Sequence, residues 1–217
     1  ALGAHGRLVA AIGDDAAGQE VHALAEADAP GAVQLLVQDD RPTSVKIRYL
    51  ASGQQLLRTD WEHSAPLANA AAERLVRTAE AELDAADALV LSDYGKGVLT
   101  PETVAALIRA AGTRGVPVVV DPRADDYAAY AGAEVVTPNR AELERAAAMS
   151  VADAGGPDAD QQAEAAARAL CRSSGVANVL ATRGPQGMTL VEGADGPVRH
   201  LPAQAREVYD VSGAGDT

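Results

Sequence analysis

The feature that most restricts the fold of this chain is a regular alternation of short apolar runs with helical stretches. Four runs have the length and composition of buried strands, and amphipathic helical patterns separate them. The strands are predicted over 88–92, 116–121, 134–137 and 179–182, and the helices over 67–83, 101–111, 140–148 and 161–173. Buried strands that alternate with helices are typical of a parallel sheet covered on both faces, so we expect an α/β fold.

Both ends of the chain add to this pattern. A strand over 7–13 and a helix over 16–27 are predicted at the start, which opens without Met. The chain stops at Thr217, just where a helix is expected to begin, so we expect a fragment that lacks both ends of its domain. The polar stretch 153–160 contains Gly and Pro and is interpreted as a loop or insertion.

The segment 32–61 departs from the pattern, because it alternates like exposed β structure. A turn at Ser52-Gly53 would join two strands into a small separate sheet, which we interpret as a lid inserted in the α/β core. Lys46 and Arg48 share one face of the first strand, and Arg58 and Asp60 share one face of the second. A charged face is often only a solvated face. In a chain with a net charge of −13, this one favours an anion receptor.

Composition limits the classes of function. The 217 residues, 47% of them hydrophobic, suit one domain or part of a larger one. No apolar run is long enough for a membrane span and no secretory signal pattern is present, so we expect a cytoplasmic protein without a membrane partner. The net negative charge opposes general binding to nucleic acid. The single cysteine excludes an internal disulfide, and the four histidines lack metal-ligand spacing.

The strongest chemical motif is Gly-Ala-Gly-Asp at 213–216. Gly213 and Gly215 permit backbone angles that let consecutive N–H groups converge on an anion. Asp216 follows directly, where a carboxylate can take the proton of an acceptor hydroxyl as a phosphoryl group arrives. The same four residues also fit a glycine turn with an Asp helix cap, so the interpretation depends on other motifs. Asp93, Asp121 and Asn139 support the interpretation as a ligand site. Each follows a predicted parallel strand, at the edge where α/β sheets bind ligands.

Five motifs in order resemble those of the ribokinase-like, or PfkB, carbohydrate kinases. They are Leu91-Ser-Asp-Tyr-Gly-Lys-Gly97, Val120-Asp-Pro-Arg123, Thr137-Pro-Asn-Arg-Ala-Glu142, Thr182-Arg-Gly184 with Gln186-Gly-Met188, and Glu207-Val-Tyr-Asp-Val-Ser-Gly-Ala-Gly-Asp-Thr217. The lid-like stretch 43–62 resembles that of the D-glycero-β-D-manno-heptose 7-phosphate kinases within the family. The resemblance implies a ribokinase-like, mostly parallel sheet flanked by helices with a small β-sheet lid, a Mg²⁺–ATP donor and a sugar hydroxyl as acceptor.

The resemblance also implies roles for individual residues. Asp216 becomes the base for the sugar C1 hydroxyl, and Gly213, Ala214 and Gly215 become the anion hole for the migrating phosphoryl group. The residues implied near ATP are Asn139, Arg140, Ala141, Glu142, Thr182 and Gly184, with Glu142 reaching Mg²⁺ through water. The residues implied for the substrate are Lys46, Arg48, Gln54, Arg58, Asp60, Asp93, Lys96 and Arg123.

Physical chemistry refines some of these assignments. Arg48 and Arg58 are our choices for the 7-phosphate, because guanidinium groups bind phosphate bidentately. Asn139 and Glu142 also fit a helix cap with a first-turn Glu, and both roles are expected together. Tyr49 and Trp61 are expected in the core of the lid. Cys171 is expected to be an inert buried thiol.

The function implied is ATP-dependent phosphorylation of D-glycero-β-D-manno-heptose 7-phosphate at O1, a step towards ADP-heptose and the lipopolysaccharide core. Another PfkB-type kinase, such as a fructokinase or phosphofructokinase, remains an alternative, as does a non-catalytic nucleotide or sugar-phosphate binding module. No G-x-G-x-x-G follows the first strand and no Walker motif occurs, which disfavours a dehydrogenase or a P-loop enzyme. The resemblance further implies a homodimer formed through the lid, and we expect this chain by itself to be inactive.

Overall fold

A computed structural model describes residues 3–51, 54–123, 126–152 and 156–203. The chain divides into two compact units. The first comprises Ala1–Ala85 with Gly95–Thr103, and the second comprises Ala86–Tyr94 with Val104–Thr217. Within the described ranges, every helix is too short or too polar to cross a membrane.

The first unit contains a parallel strand pair and a separate hairpin. Strands β1 (Leu8–Gly13) and β2 (Val33–Gln38) pair in parallel, and helix α1 (Ala16–Asp28) connects them. Strands β3 (Val45–Ala51) and β4 (Gln54–Trp61) then pair antiparallel, and helix α2 (Asn69–Leu83) follows. The predicted Ser52-Gly53 turn lies outside the described residues. The small separate sheet covers less of the chain than the predicted segment 32–61. The strand that begins at Val33 pairs with β1 instead of joining the hairpin.

Asp15 joins the start of α1 to the start of the hairpin. One carboxylate oxygen accepts the N–H of Gly18 at 2.8 Å, which caps the helix, and the other accepts the N–H of Thr43 at 2.8 Å. These bonds, with the Thr43 backbone contributing most, lower the pKa of Asp15 below its usual value. The Thr43 hydroxyl in turn accepts the N–H of Gly13 at 2.8 Å. The backbone that leads into β3 is thus fixed to the end of β1.

The second unit is built on a six-stranded mixed sheet in the order β10-β9-β8-β7-β6-β5. Its strands are β5 (Leu89–Ser92), β6 (Val118–Asp121), β7 (Val135–Val136), β8 (Asn178–Thr182), β9 (Met188–Glu192) and β10 (Val198–Leu201). Strands β5 to β8 are parallel to one another, and β9 and β10 continue the sheet antiparallel. The helices are α3 (Pro101–Gly112), which begins in the first unit, α4 (Arg140–Ala147) and α5 (Pro157–Ser174). Four valines on different strands, Val120, Val136, Val179 and Val191, are fully buried and form the centre of the core.

Most predicted elements are confirmed to within a few residues, but the loop predicted over 153–160 is wrong at its end. Helix α5 begins at Pro157, with Asp158 and Asp160 in its first turn. Proline at the first helical position lacks only an N–H that would be unpaired anyway, and carboxylates are stabilised by the positive end of the helix dipole. The same residues that suggested a polar loop therefore start a helix.

The prediction that Tyr49 and Trp61 form the core of the lid is also wrong. Tyr49 is 47% exposed and Trp61 is 68% exposed. A two-stranded hairpin has no second layer of its own, so its apolar face stays open unless another element covers it. By contrast, Cys171 is buried, and burial raises the pKa of its thiol, as expected for an inert cysteine.

Candidate active site

Polar residues follow the parallel strands of the second unit at one edge of the sheet. The backbone N–H of Asp93 donates to Asp121 at 2.9 Å, and the N–H of Thr182 donates to Pro138 at 2.9 Å. Asn139 forms an isolated parallel bridge with Thr182. The predicted rim of Asp93, Asp121 and Asn139 is confirmed, and Thr182 extends it by one strand.

The carboxylate of Asp93 is oriented by a buried tyrosine. The hydroxyl of Tyr130 donates to Asp93 Oδ2 at 2.7 Å and accepts the N–H of Arg123 at 3.2 Å. Tyr130 is only 1% exposed and stacks edge-on against Tyr127. Burial, reinforced by the charge of Glu142, raises the pKa of Tyr127, so that phenol stays neutral. Sequence reasoning missed Tyr130, because nothing in its local pattern marks the strand end that it contacts.

Asn139 and Glu142 form a reciprocal capping box at the start of α4. Asn139 Oδ1 accepts the N–H of Glu142 at 3.0 Å, and Glu142 Oε2 accepts the N–H of Asn139 at 2.9 Å. The other carboxylate oxygen, Oε1, lies 4.0 Å from Nη1 of Arg123. The cap is therefore confirmed, and it leaves Oε1 of Glu142 turned towards a cation.

The chemistry of this carboxylate fits the kind of ligand that Mg²⁺ takes in proteins. Among the described residues, no three His, Cys, Asp or Glu side chains group together to hold a metal. Mg²⁺ keeps several waters and is usually held by one or two carboxylates together with phosphate oxygens. The cap uses only Oε2 of Glu142, and the predicted contact of this residue with Mg²⁺ through water stays a prediction.

The second predicted nucleotide element is the turn after β8. Gly184 has φ +57°, a conformation that side chains other than glycine rarely adopt, and the N–H of Arg183 closes the turn on Gly187 at 2.8 Å. The Asn139–Thr182 bridge places this turn beside the start of α4. Arg140 is directed elsewhere, since its guanidinium lies 3.3 Å from the Val151 carbonyl oxygen and 3.8 Å from Glu144. Ala141 lies in the first turn of α4.

In the first unit, the hairpin carries the predicted charged face. The register pairs Lys46 with Asp60 and Arg48 with Arg58, so all four side chains lie on one side. Lys46 Nζ is 3.3 Å from Asp60, and Arg58 Nε is 2.9 Å from the same carboxylate. Partial burial alone would raise the pKa of Asp60, but hydrogen bonds from Arg58 and Lys46 hold it below its usual value.

Glu62 joins two predicted substrate lysines. Lys96 bonds to one oxygen of Glu62, and Lys46 Nζ lies 3.2 Å from the other. The hydrogen bond from Lys96, followed by that from Lys46, lowers the pKa of Glu62. The hairpin face is therefore less basic than the sequence indicated, because Asp60 and Glu62 balance part of its charge.

Arg48 keeps its charge uncompensated. It lies directly opposite Arg58 and is exposed, and it makes no hydrogen bond or ion pair with any residue that the structure describes. Like charges that face each other across two strands destabilise the pair. Gln54 is exposed at the first position of β4.

Arg41, which sequence reasoning did not identify, fixes the loop that carries Lys96. Its Nη2 donates to the carbonyl oxygens of His63 at 3.2 Å, Ala65 at 3.2 Å and Lys96 at 2.7 Å. Gly97 has φ +73°, and a Cβ there would overlap the carbonyl of Ala65. The segment after β4 and the Lys96 loop are therefore held together by backbone packing as well as by Arg41.

The predicted anion hole and base, Gly213, Ala214, Gly215 and Asp216, lie outside the described residues and stay predictions. The residues that the structure describes are sufficient to define the class of protein. Its polar side chains stand at the carboxyl ends of parallel strands, with a glycine turn and a capped helix start side by side, as in α/β enzymes that bind ligands at that edge.

The chain belongs to the pfkB family of carbohydrate kinases, because the model described as "pfkB family carbohydrate kinase" matches residues 1–217. This places it among phosphotransferases that act on an alcohol acceptor. It is 48% identical over 217 residues to the bifunctional protein HldE of Paramagnetospirillum magneticum, and 47% identical to that of Rhodospirillum rubrum. The whole chain is covered in both matches, but it spans only 43% and 42% of those two proteins.

Solved structures show the same fold. A tetrameric inhibited form of phosphofructokinase-2 from Escherichia coli matches with a TM-score of 0.72 and 22% identity, covering 97% of this chain and 67% of that one. Ribokinase from Giardia lamblia matches with a TM-score of 0.70 and 22% identity, covering 96% of this chain and 62% of that one. The ribokinase-like α/β fold expected from the sequence is thus confirmed.

Proposed function

We propose that this chain is part of a full-length kinase that transfers a phosphoryl group from ATP to O1 of D-glycero-β-D-manno-heptose 7-phosphate, giving the 1,7-bisphosphate. The observation that carries the choice of a phosphorylated sugar is the cross-strand pair of Arg48 and Arg58 on the hairpin. A phosphate between two guanidinium groups would turn their repulsion into attraction and form bidentate hydrogen bonds. The heptose kinase motifs and the match of all 217 residues of this chain to part of the two HldE proteins support the same choice.

The proposed chemistry rests on the glycine turn. Asp216 accepts the proton of the sugar C1 hydroxyl as that oxygen forms its bond to the γ-phosphorus and the bond to ADP breaks. The backbone N–H groups of Gly213, Ala214 and Gly215 stabilise the charge on the phosphoryl oxygens. One such donor contributes about 2.7–4 kcal/mol in measured enzymes. Mg²⁺ supplies further charge neutralisation when bound, and Glu142 would hold it through water.

The donor and acceptor use different sets of residues in this proposal. The ATP phosphates are received at the start of α4, by Asn139, the backbone of Arg140, Ala141 and Glu142, and at the turn of Thr182 and Gly184. Asp93 accepts a hydrogen bond from a sugar hydroxyl, since Tyr130 already orients its carboxylate. The residues assigned to substrate phosphate and its surroundings are Lys46, Arg48, Gln54, Arg58, Asp60, Lys96 and Arg123.

We also propose a homodimer formed through the hairpin, in a cytoplasmic protein that draws on cellular ATP. The exposed side chains of Tyr49, Leu57 and Trp61 support this, because a contiguous apolar surface on one sheet face favours association. Sedimentation of the full-length protein tests it, and a monomer at micromolar concentration would contradict it.

The experiment that tests the function is a phosphorylation assay with the full-length protein, ATP and D-glycero-β-D-manno-heptose 7-phosphate, beside a panel of hexose phosphates. Asp216→Asn removes the base and is expected to lower kcat by roughly 10²–10⁴. The matched control is Asp195→Asn, which removes the same charge from a side chain that is 96% exposed, and it is expected to behave like wild type.

The outcomes separate the alternatives. Turnover of the heptose alone, lost in Asp216→Asn, supports the proposal. Turnover of hexoses in its place would assign the chain to a fructokinase-like or phosphofructokinase-like kinase. Binding of nucleotide without any turnover would indicate a non-catalytic binding module.

A further inference from the structure

A buried arginine lies beneath the turn that follows β8. Arg183 is 5% exposed, and its backbone both donates to Gly187 at 2.8 Å and accepts from Gln186 at 3.2 Å. The backbone of Arg183 therefore closes the turn, and Thr182 and Gly184 are its neighbours in sequence. Removing a guanidinium from water has a large free-energy cost unless a partner compensates it.

The partner is Asp160, in the first turn of α5. Arg183 Nη1 lies 2.7 Å from Asp160 Oδ1. Arg183 Nε is buried and finds no hydrogen-bond acceptor among the described residues, so this carboxylate is the charge that the structure sets against the guanidinium. Asp160 lies in the first turn of α5, so its carboxylate stands near the positive end of the helix dipole.

The same carboxylate also approaches the last strand of the sheet. Asp160 Oδ1 lies 3.9 Å from Nδ1 of His200 on β10, and the same nitrogen lies 3.1 Å from the hydroxyl of Thr189 on β9. Asp160 thus connects the turn after β8 to β10, the strand that precedes the predicted glycine turn in sequence.

Stability alone does not explain this arrangement. Arg183 is buried, whereas the side chain of Asp160 stays 34% exposed. An ion pair that takes a charged group out of water generally contributes no more to the free energy of unfolding than well-packed apolar side chains of the same volume. Here the pair also leaves one guanidinium nitrogen unsatisfied, which adds to its cost. The ion pair also restricts geometry. Because Asp160 holds the guanidinium of Arg183, it limits the positions that the Arg183 backbone can take in the turn.

We propose that Asp160 is a positioning residue for the nucleotide: through Arg183 it holds the Thr182–Gly184 turn in the shape that receives the phosphates of ATP. This inference rests on the proposed assignment of that turn to the nucleotide. The proposed role gives Asp160 no direct contact with ATP or the sugar, so its replacement is expected to weaken nucleotide binding and to leave sugar binding nearly unchanged.

The test compares Asp160→Asn with Asp160→Glu and Asp158→Asn in the full-length protein. Asp158 lies in the same turn of α5 and is exposed, so its variant matches the change in net charge and helix dipole. The measurements are the Kd for ADP by titration calorimetry, the KM for ATP and for the sugar phosphate, and the unfolding temperature.

Asp160→Asn is expected to raise the Kd for ADP and the KM for ATP about tenfold, and the KM for the sugar less than twofold. Asp160→Glu restores a carboxylate and is expected to return ADP binding to within about threefold of wild type, while Asp158→Asn matches wild type. An unchanged Kd in Asp160→Asn, or equal increases in both KM values, would overturn the proposal.

A second variant covers the case in which Asp160→Asn fails to fold. The double change Asp160→Leu with Arg183→Met removes both charges, so it is expected to fold and still bind ADP weakly; wild-type affinity would overturn the proposal. If the wild-type protein binds ADP but phosphorylates a hexose, only the choice of sugar fails. If it binds no adenine nucleotide, both proposals fail.

Discussion

Arg48 and Arg58 occupy opposite positions on two paired strands, yet only Arg58 has a carboxylate close by. Selection for solubility alone would not place two guanidinium groups face to face, because the pair is repulsive. A dianionic phosphate removes that cost. The arrangement therefore favours a receptor for a phosphorylated ligand over a merely solvated face.

Replacing Arg48 tests this residue directly. Arg48→Ala is expected to raise the KM for heptose 7-phosphate about tenfold to a hundredfold, since a hydrogen bond to a charged group contributes about 1.5–3 kcal/mol. Arg48→Lys keeps the charge but loses the fork, so an intermediate KM is expected. The KM for ATP is expected to stay the same in both variants.

The control for Arg48 is Arg77→Ala, which removes another exposed guanidinium, one that lies 3.4 Å from Glu73 on its own helix. Steady-state kinetics at fixed ionic strength compare the variants. If Arg48→Ala binds the sugar phosphate as wild type does, the 7-phosphate is not bound at this pair.

Among single residues, those with a functional role that lie next to a glycine or directly after a strand can be predicted from the sequence. Residues whose role depends on burial cannot. Lys46, Arg58 and Asp60 were predicted on one face, because alternation along a strand fixes that face, and the register confirms it. Arg41 and Arg183 were not identified as anchors. Their partners are distant in sequence or are backbone carbonyls, which leave no local pattern.

Among the elements, the N-terminus of α4 combines a structural cap with a proposed role in phosphate binding. The cap satisfies the N–H groups of Asn139 and Glu142, which would otherwise lack partners at the helix terminus. The positive end of the helix dipole at that first turn also favours an anion. Capping and phosphate binding are compatible in the same four residues.

Asn139→Ala separates the two roles. It removes the acceptor for the N–H of Glu142 and is expected to lower the free energy of unfolding by about 1 kcal/mol, measured by urea denaturation. Asn139→Asp keeps an acceptor at the cap, so the free energy of unfolding is expected to return towards wild type. If the residue also serves ATP, Asn139→Ala is expected to raise the KM for ATP as well.

Thr100→Ala is the matched control for Asn139. Thr100 Oγ1 accepts the N–H of Thr103 at 3.3 Å at the start of α3, so Thr100→Ala is expected to lower the free energy of unfolding without a change in the KM for ATP. Equal effects of both variants on that KM would show that the change follows from stability alone.

Elements with a clear period were predictable, and elements defined by their partners were not. The parallel strands were found because their apolar runs are bounded by turn residues, and the helix predicted over 101–111 begins at Pro101 as expected. The pairing of β2 with β1 was missed, because alternation identifies a strand but not its neighbour. The exposure of Trp61 was missed for the same reason, since a pattern shows an apolar face but not what covers it.

The whole chain has 31 acidic residues and 18 basic residues. Two opposing effects of acid follow. Protonating unpaired carboxylates first relieves the self-repulsion of a net negative chain, which favours the folded state. Protonating the carboxylates that accept hydrogen bonds in the fold then removes specific stabilisation.

The second effect predicts the acid limb of the stability curve. Hydrogen bonds lower the pKa values of Asp15, Asp60 and Glu62 below their usual values of 3.8, 3.8 and 4.5. A carboxyl with a lowered folded pKa contributes stability that is fully present above its unfolded pKa and is lost as the pH falls through the folded value. The free energy of unfolding is therefore expected to decline below about pH 4.5, and urea titrations at fixed salt would measure the slope.

Glu62→Gln isolates one of these carboxylates. The variant is expected to be less stable than wild type at pH 7, because Lys46 and Lys96 lose their shared partner, and the two curves are expected to converge as the pH falls below 4.5. Glu20→Gln removes an exposed carboxylate of α1 and is expected to run parallel to wild type at every pH. A constant offset for Glu62→Gln down to the lowest pH would mean that Glu62 stabilises the hairpin by packing rather than by charge, since protonation would then leave its contribution intact.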